Sequence, residues 1–188
     1  MLIANRSVLS VWVVCLVALL AGCASNKRES DVLTDAAFGD TDSWRAIGFS
    51  SNGRSVEAMT VGQGPVRVLV VGGIHGDERE AQPSIGRLVE LLAQEPASSA
   101  ATWRVVRDLN PDGTAMYRRG NAHQVDLNRN FPARNFEKRT RHGDAPFSEP
   151  ETRIFASLVR FDRPDLIVVF HSTSSGPFVN FDGPGSEL

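Results

Sequence analysis

The sequence predicts an α/β domain, a mixed and mainly parallel sheet flanked by helices. Three observations predict it. The apolar runs at residues 68–71 and 166–170 read as strands buried on both faces. A helical pattern separates the first of them from the next strand candidate, an order that implies parallel pairing through a right-handed crossover. The composition, 188 residues with 41% hydrophobic and 22% charged, fits one globular domain.

Residues 1–22 are read as a segment outside that domain. Arg6 precedes an apolar run from Val8 to Leu20, short for a bilayer span and closed by Leu20-Ala21-Gly22-Cys23. This reads as an export signal, and its ending resembles a bacterial lipoprotein signal, in which Cys23 becomes the lipidated first residue. An ordinary signal with an incidental cysteine is the alternative. Ala24 is not an aspartate, which by resemblance to enteric lipoproteins implies the outer membrane, facing the periplasm, if the source has two membranes. Cys15 leaves with the signal, so no cysteine pair remains for a disulfide. Residues 23–43 are polar and mixed in charge, as expected of a tether.

The domain is expected over residues 44–188. Residues 45–50 and 55–61 read as strands around the hairpin signal Asn52-Gly53. Residues 62–65 turn the chain into a central strand that ends in Gly72-Gly73. Residues 81–95 place Ile85, Leu88, Val89 and Leu92 at helical spacing, and Pro96 ends that helix. Residues 103–109 read as a strand leading to a turn at Asn110-Pro111-Asp112-Gly113. Ser148-Glu149-Pro150-Glu151 reads as a capping box, with Ser148 as N-cap, before a helix whose apolar face is Ile154, Phe155, Leu158 and Val159. Pro164 closes it, and a last strand ends in His171.

Candidate chemistry gathers at the strand ends, where open α/β sheets keep their sites. After the central strand comes His75-Gly76-Asp77-Glu78, an H-x-x-E spacing that can aim an imidazole and a carboxylate at one cation. Alone, the pair fits a capped loop equally well. His171, at the end of a second apolar strand, supplies a third donor. Three protein ligands with an open fourth position describe a catalytic zinc site, whereas structural zinc is usually closed by four. Residues 118–132 are crowded with arginine, asparagine and aspartate, with Val125, Leu127 and Phe131 as core candidates. Such a loop suits a carboxylate or an oxyanion, because guanidinium makes paired charge-assisted hydrogen bonds; a solvated turn is the alternative. His123 and His142 read as plain loop histidines. The net charge of -2 argues against a nucleic-acid partner.

Together, G-G-I-H-G-D-E, N-P-D-G, V-D-L-N-R-N-F-P, P-F-S-E-P-E-T and F-H-S resemble, in order, the zinc carboxypeptidases of the carboxypeptidase A type, and more closely their bacterial murein peptide amidase branch. The resemblance implies one zinc ion held by His75, Glu78 and His171. It makes Arg119 the catalytic arginine that polarises the scissile carbonyl, and Asn128 and Arg129 the pair that binds the substrate's terminal carboxylate. The implied substrate is a peptide with a free carboxylate, such as a murein-derived peptide. Departures are visible too. Asp77 stands where digestive members have arginine, and Gln124 replaces a glycine before V-D-L-N-R, a change expected to strain the loop holding Asn128. The family's general-base glutamate and its substrate-capping tyrosine have no match, since Glu187 comes too early and Tyr117 lies in another motif. By this reading the family's C-terminal strands are missing. Two other functions stay open: a peptide-binding or cell-wall-binding lipoprotein without turnover, and an acyl-amino-acid deacylase similar to succinylglutamate desuccinylase.

Overall fold

The computed structural model describes residues 43–94 and 100–172 in full, and residues 12–16 and 179–182 as backbone. Its strands are β1 (Trp12–Leu16), β2 (Arg45–Phe49), β3 (Ser55–Val61), β4 (Val66–Val71), β5 (Ala101–Val106), β6 (Leu166–His171) and β7 (Val179–Asp182). The helices are α1 (Ala81–Gln94), α2 (Pro111–Met116) and α3 (Pro150–Asp162), with a single 3₁₀ turn at Leu127–Arg129. The strands form one mixed sheet in the order β2-β3-β5-β4-β6-β1-β7.

β4 is parallel to both of its neighbours, pairing Val71 with Val106 of β5 and Val71 with Val169 of β6. β2, β3 and β5 are joined antiparallel on one flank. The alternation of side chains along β4 explains why its sequence is apolar throughout. Leu69 and Val71 enter a cluster with Ile47, Val106, Phe155 and Leu158, under α3. Val68 and Val70 point the other way, into a cluster with Ile85 and Val105, under α1. The expected apolar faces of both helices lie on these clusters: Ile85 and Leu92 are buried, with Leu88 and Val89 packed beside them, and Phe155 and Leu158 are buried beside Ile154 and Val159.

Three local expectations change. Asn110-Pro111-Asp112-Gly113 is the start of α2, because Asn110 accepts a hydrogen bond from the Gly113 N–H and Pro111 supplies a helical φ at the first position. Helix α3 does not have a capping box. Pro150 occupies its first turn, which moves the N-cap to Glu149, and no side chain caps the helix. The strand expected at 103–109 is β5, which begins two residues earlier and ends at Val106.

The apolar run read as the core of the export signal contributes β1. It pairs antiparallel with β6, Trp12 opposite His171, and parallel with β7. An apolar, β-branched run is suited both to translocation and to covering an open sheet edge. Cys23, most of the tether and Glu187 lie outside the described residues. Among the described residues, no helix is long and apolar enough to cross a membrane.

Candidate metal centre

Parallel neighbours finish on the same side of a sheet, and this topology sets the site. His171 is the last residue of β6, while the chain leaving β4 continues through Gly72-Gly73 to His75. The Gly72 N–H donates to the Val106 carbonyl and the Leu109 N–H to the Gly72 carbonyl, so this exit runs beside the exit of β5. A turn closed by the Glu78 N–H on the His75 carbonyl then brings Glu78 back to the histidine. That turn lies flat on the start of α2. A Cβ on Gly76 would sit 2.0 Å from the Gly113 carbonyl carbon and 2.2 Å from the Thr114 nitrogen, so only glycine fits.

The three expected ligands converge. His75 Nδ1 lies 2.7 Å from Glu78 Oε1, and His171 Nδ1 lies 3.1 Å from Glu78 Oε2. The two Nδ1 atoms are 3.1 Å apart. All three donor atoms fall within 4.8 Å of one another. His75 is buried, and Glu78 and His171 are nearly so. The Ser172 N–H donates to Glu78 Oε2 at 3.1 Å and orients that carboxylate.

Asp126, which sequence reasoning did not single out, completes the cluster. Its Oδ1 accepts from His75 Nε2 at 3.1 Å, which leaves Nδ1 as the nitrogen turned toward Glu78 and His171. Its Oδ2 accepts from Arg119 Nε at 2.9 Å. Arg119 Nη1 stands 3.7 Å from Glu78 Oε1, so the expected catalytic arginine does reach the cluster. Asn128 and Arg129 lie in the 3₁₀ turn that Asp126 caps. Arg129 shares with Arg119 the wall of a cavity of about 450 Å³, and Arg129 Nη1 donates to the Asn128 carbonyl at 3.1 Å. The Asn128 side chain is outside that lining.

The electrostatics are those of a cation site. Burial raises the Glu78 pKa, but hydrogen bonds from His171 and His75 outweigh it and bring the carboxyl down to about 2. Asp126 is likewise held well below the carboxylate range: burial pushes it up, and the bonds from His75 and Arg119 overcome this. Burial lowers His75, yet Asp126 and Glu78 together hold it above its ordinary value. Two ionised carboxylates around buried imidazoles thus favour positive charge between them. Ligands at 2.0–2.2 Å from a tetrahedral ion sit about 3.3 Å apart, close to the separations found here, and nitrogen, nitrogen and oxygen are donors that zinc accepts. The residues fit a zinc ion.

Two other sequence readings are sharpened. Gln124 has φ 64, a left-handed conformation natural to the glycine it replaces, so the loop before Val125 is strained as the substitution implies. His123, read as a loop histidine without a role, binds the Glu149 carboxylate at 2.7 Å, and the Asn121 amide donates to both Glu149 and Glu151. No spacing rule marks these contacts, because they join a loop to a helix terminus far along the chain. His142 remains a loop residue, half-buried at the edge of the cavity, with its Nδ1 3.0 Å from the Glu137 carbonyl.

Comparison with known proteins decides the family. The zinc carboxypeptidase family model matches residues 35–184. The chain belongs to the zinc carboxypeptidase family. It is 35% identical to murein peptide amidase A of Escherichia coli over 119 residues, covering 55% of this chain and 48% of the relative. The murein peptide amidase A of Vibrio campbellii is 34% identical over 121 residues, or 56% and 47% of the two chains. Among solved structures, the murein-tripeptide amidase of Escherichia coli matches with TM-score 0.56 and 29% identity, covering 76% of this chain and 67% of that one. Carboxypeptidase A of Helicoverpa armigera matches in fold, with TM-score 0.59 and 22% identity over 68% and 39% of the chains. The chain therefore spans about half the length of the curated amidases it matches.

Proposed function

We propose that this zinc carboxypeptidase family chain serves an exported, lipid-anchored hydrolase that cleaves an amide bond near a free carboxylate, in murein-derived peptides. The observation that carries this reading is the convergence of His75 Nδ1, His171 Nδ1 and Glu78 beside Arg119.

His75, Glu78 and His171 would hold a zinc ion, which would supply Lewis-acid chemistry at this site when bound. Arg119, fixed by Asp126 and half exposed, faces the space where a scissile carbonyl would lie and stabilises the charge that develops on its oxygen. Arg129, with Asn128, holds the chain end and orients the bond. Asp126 keeps the His75 ring in one tautomer. Hydrolysis also needs a group to carry the proton to the leaving amine, a role worth on the order of a hundred- to ten-thousand-fold. Among the described residues, the carboxylates at the centre are committed elsewhere, Glu78 to the ligand cluster and Asp126 to His75 and Arg119.

A second reading is a lipoprotein that binds such peptides through Arg119, Asn128 and Arg129 without turnover. One experiment separates the two. The protein loaded with zinc is expected to hydrolyse short murein peptides, to lose activity with a chelator and to regain it with added zinc. Binding without hydrolysis selects the second reading, and chelator-insensitive hydrolysis contradicts the zinc mechanism. The deacylase reading gains no support, since the matched family is the carboxypeptidase one.

The anchor is part of the proposal. Cys23 carries the lipid and the mature chain begins there, leaving β1 behind and the β6 edge beside His171 open to another strand. In cells, Cys23→Ser is expected to move the protein from the membrane fraction to the soluble one. An unchanged distribution removes the anchor from the account.

A further inference from the structure

The cavity beside the metal centre is more basic than one chain-end carboxylate requires. It measures about 450 Å³, enough for an amino-acid residue with some water, and it meets the centre at Arg119 and Asp126. Two of its arginines are occupied. Arg119 is paired with Asp126 and reaches Glu78, and Arg129 bonds the Asn128 carbonyl next to the place assigned to the chain end. Arg118 and Arg141 line the same cavity, and among the described residues neither side chain has a carboxylate partner. The rim next to them is stiffened where the Arg79 guanidinium stacks on the Tyr117 ring, 4.0 Å from its centroid. Asp126 is already neutralised by His75 and Arg119, so Asp77 is the one lining acid that offsets the two spare arginines.

We infer that this cavity reads a second carboxylate, carried by the side chain of the substrate's terminal residue, through Arg118 and Arg141. The inference rests on the proposed peptide-hydrolase reading and names its substrate class, a peptide ending in an acidic residue. Guanidinium suits the task because its forked donors match both oxygens of a carboxylate. The pair is open to solvent, so it confers selectivity more than raw affinity, and that selectivity weakens as salt rises.

The test measures binding, by calorimetry at low salt, of N-acetyl-alanyl-glutamate and its isostere N-acetyl-alanyl-glutamine to the zinc-loaded full chain. The two probes differ by one charge. The glutamate peptide is expected to bind about tenfold more tightly, the return on one charge-assisted contact. In the double variant Arg118→Gln, Arg141→Gln that preference falls to within about twofold, with zinc content and thermal midpoint unchanged. Equal binding of the two peptides to the unaltered protein overturns the inference and leaves the proposed function standing. A preference that survives in the double variant overturns the assignment to these arginines. If neither peptide binds, the chain-end clamp itself fails, and the inference falls with it.

Discussion

Asp126 carries two contacts of the centre at once, the His75 ring on one oxygen and the Arg119 guanidinium on the other. Removing its charge should therefore loosen the metal without touching a ligand. Asp126→Asn is expected to weaken zinc binding by about 10- to 100-fold, the usual effect of losing a ligand's hydrogen-bonded partner, read by competition with a chromophoric chelator. An unchanged affinity shows that ring orientation is set elsewhere. The three residues that converge were legible in the sequence because His171 ends one apolar strand and His75 and Glu78 lie on the turn just beyond another, and strand ends can be read from apolar runs. Asp126 was not, although V-D-L-N-R drew attention to its neighbours. Its role depends on residues 120–130 folding back over the β4 exit, which no periodicity reports. The strain at Gln124 was legible, since glycine at that position implies a positive φ.

At the scale of elements, both helices and their buried faces followed from spacing, while the start of α3 did not. Its proline moved the cap from Ser148 to Glu149, and Glu151, expected to reach back along the helix, instead accepts from the Ser51 N–H at 2.9 Å. Glu149 and Glu151 thus fasten α3 to the β2–β3 hairpin and to the loop bearing Arg119. This joint is expected to weaken in acid. Burial raises the Glu149 pKa, but hydrogen bonds from Asn121, His123 and Ser148 outweigh it and hold the carboxyl below its ordinary value. A depressed carboxyl contributes stability that is present above its unfolded pKa, about 4.3, and is lost as pH falls through the folded value. Glu149→Gln is expected to cost roughly 1–3 kcal/mol near pH 7, and its urea midpoint should converge on that of the unaltered protein as pH falls from about 6 to about 3. A gap that stays constant across that range contradicts the assignment.

For the whole molecule, the decisive feature is that β4 and β6 lie side by side and parallel. Ninety-odd residues separate His75 from His171 in the chain, and a shared sheet edge brings their nitrogens to 3.1 Å. The strand-helix-strand order predicted β4 against β5, which the sheet confirms. The place of β6 on the other side of β4 was not legible, because sequence patterns give strands but not their lateral order. Nor was the insertion of β1 between β6 and β7, since the same apolar run also reads as an export signal.

The account stands or falls on the zinc ion at that edge. The direct measurement is an anomalous difference map from crystals of the zinc-loaded protein, collected on either side of the zinc absorption edge. The account predicts one strong peak, about 2.0–2.2 Å from His75 Nδ1, His171 Nδ1 and the Glu78 carboxylate. No peak there in zinc-loaded crystals, or a peak held by other residues, would contradict it.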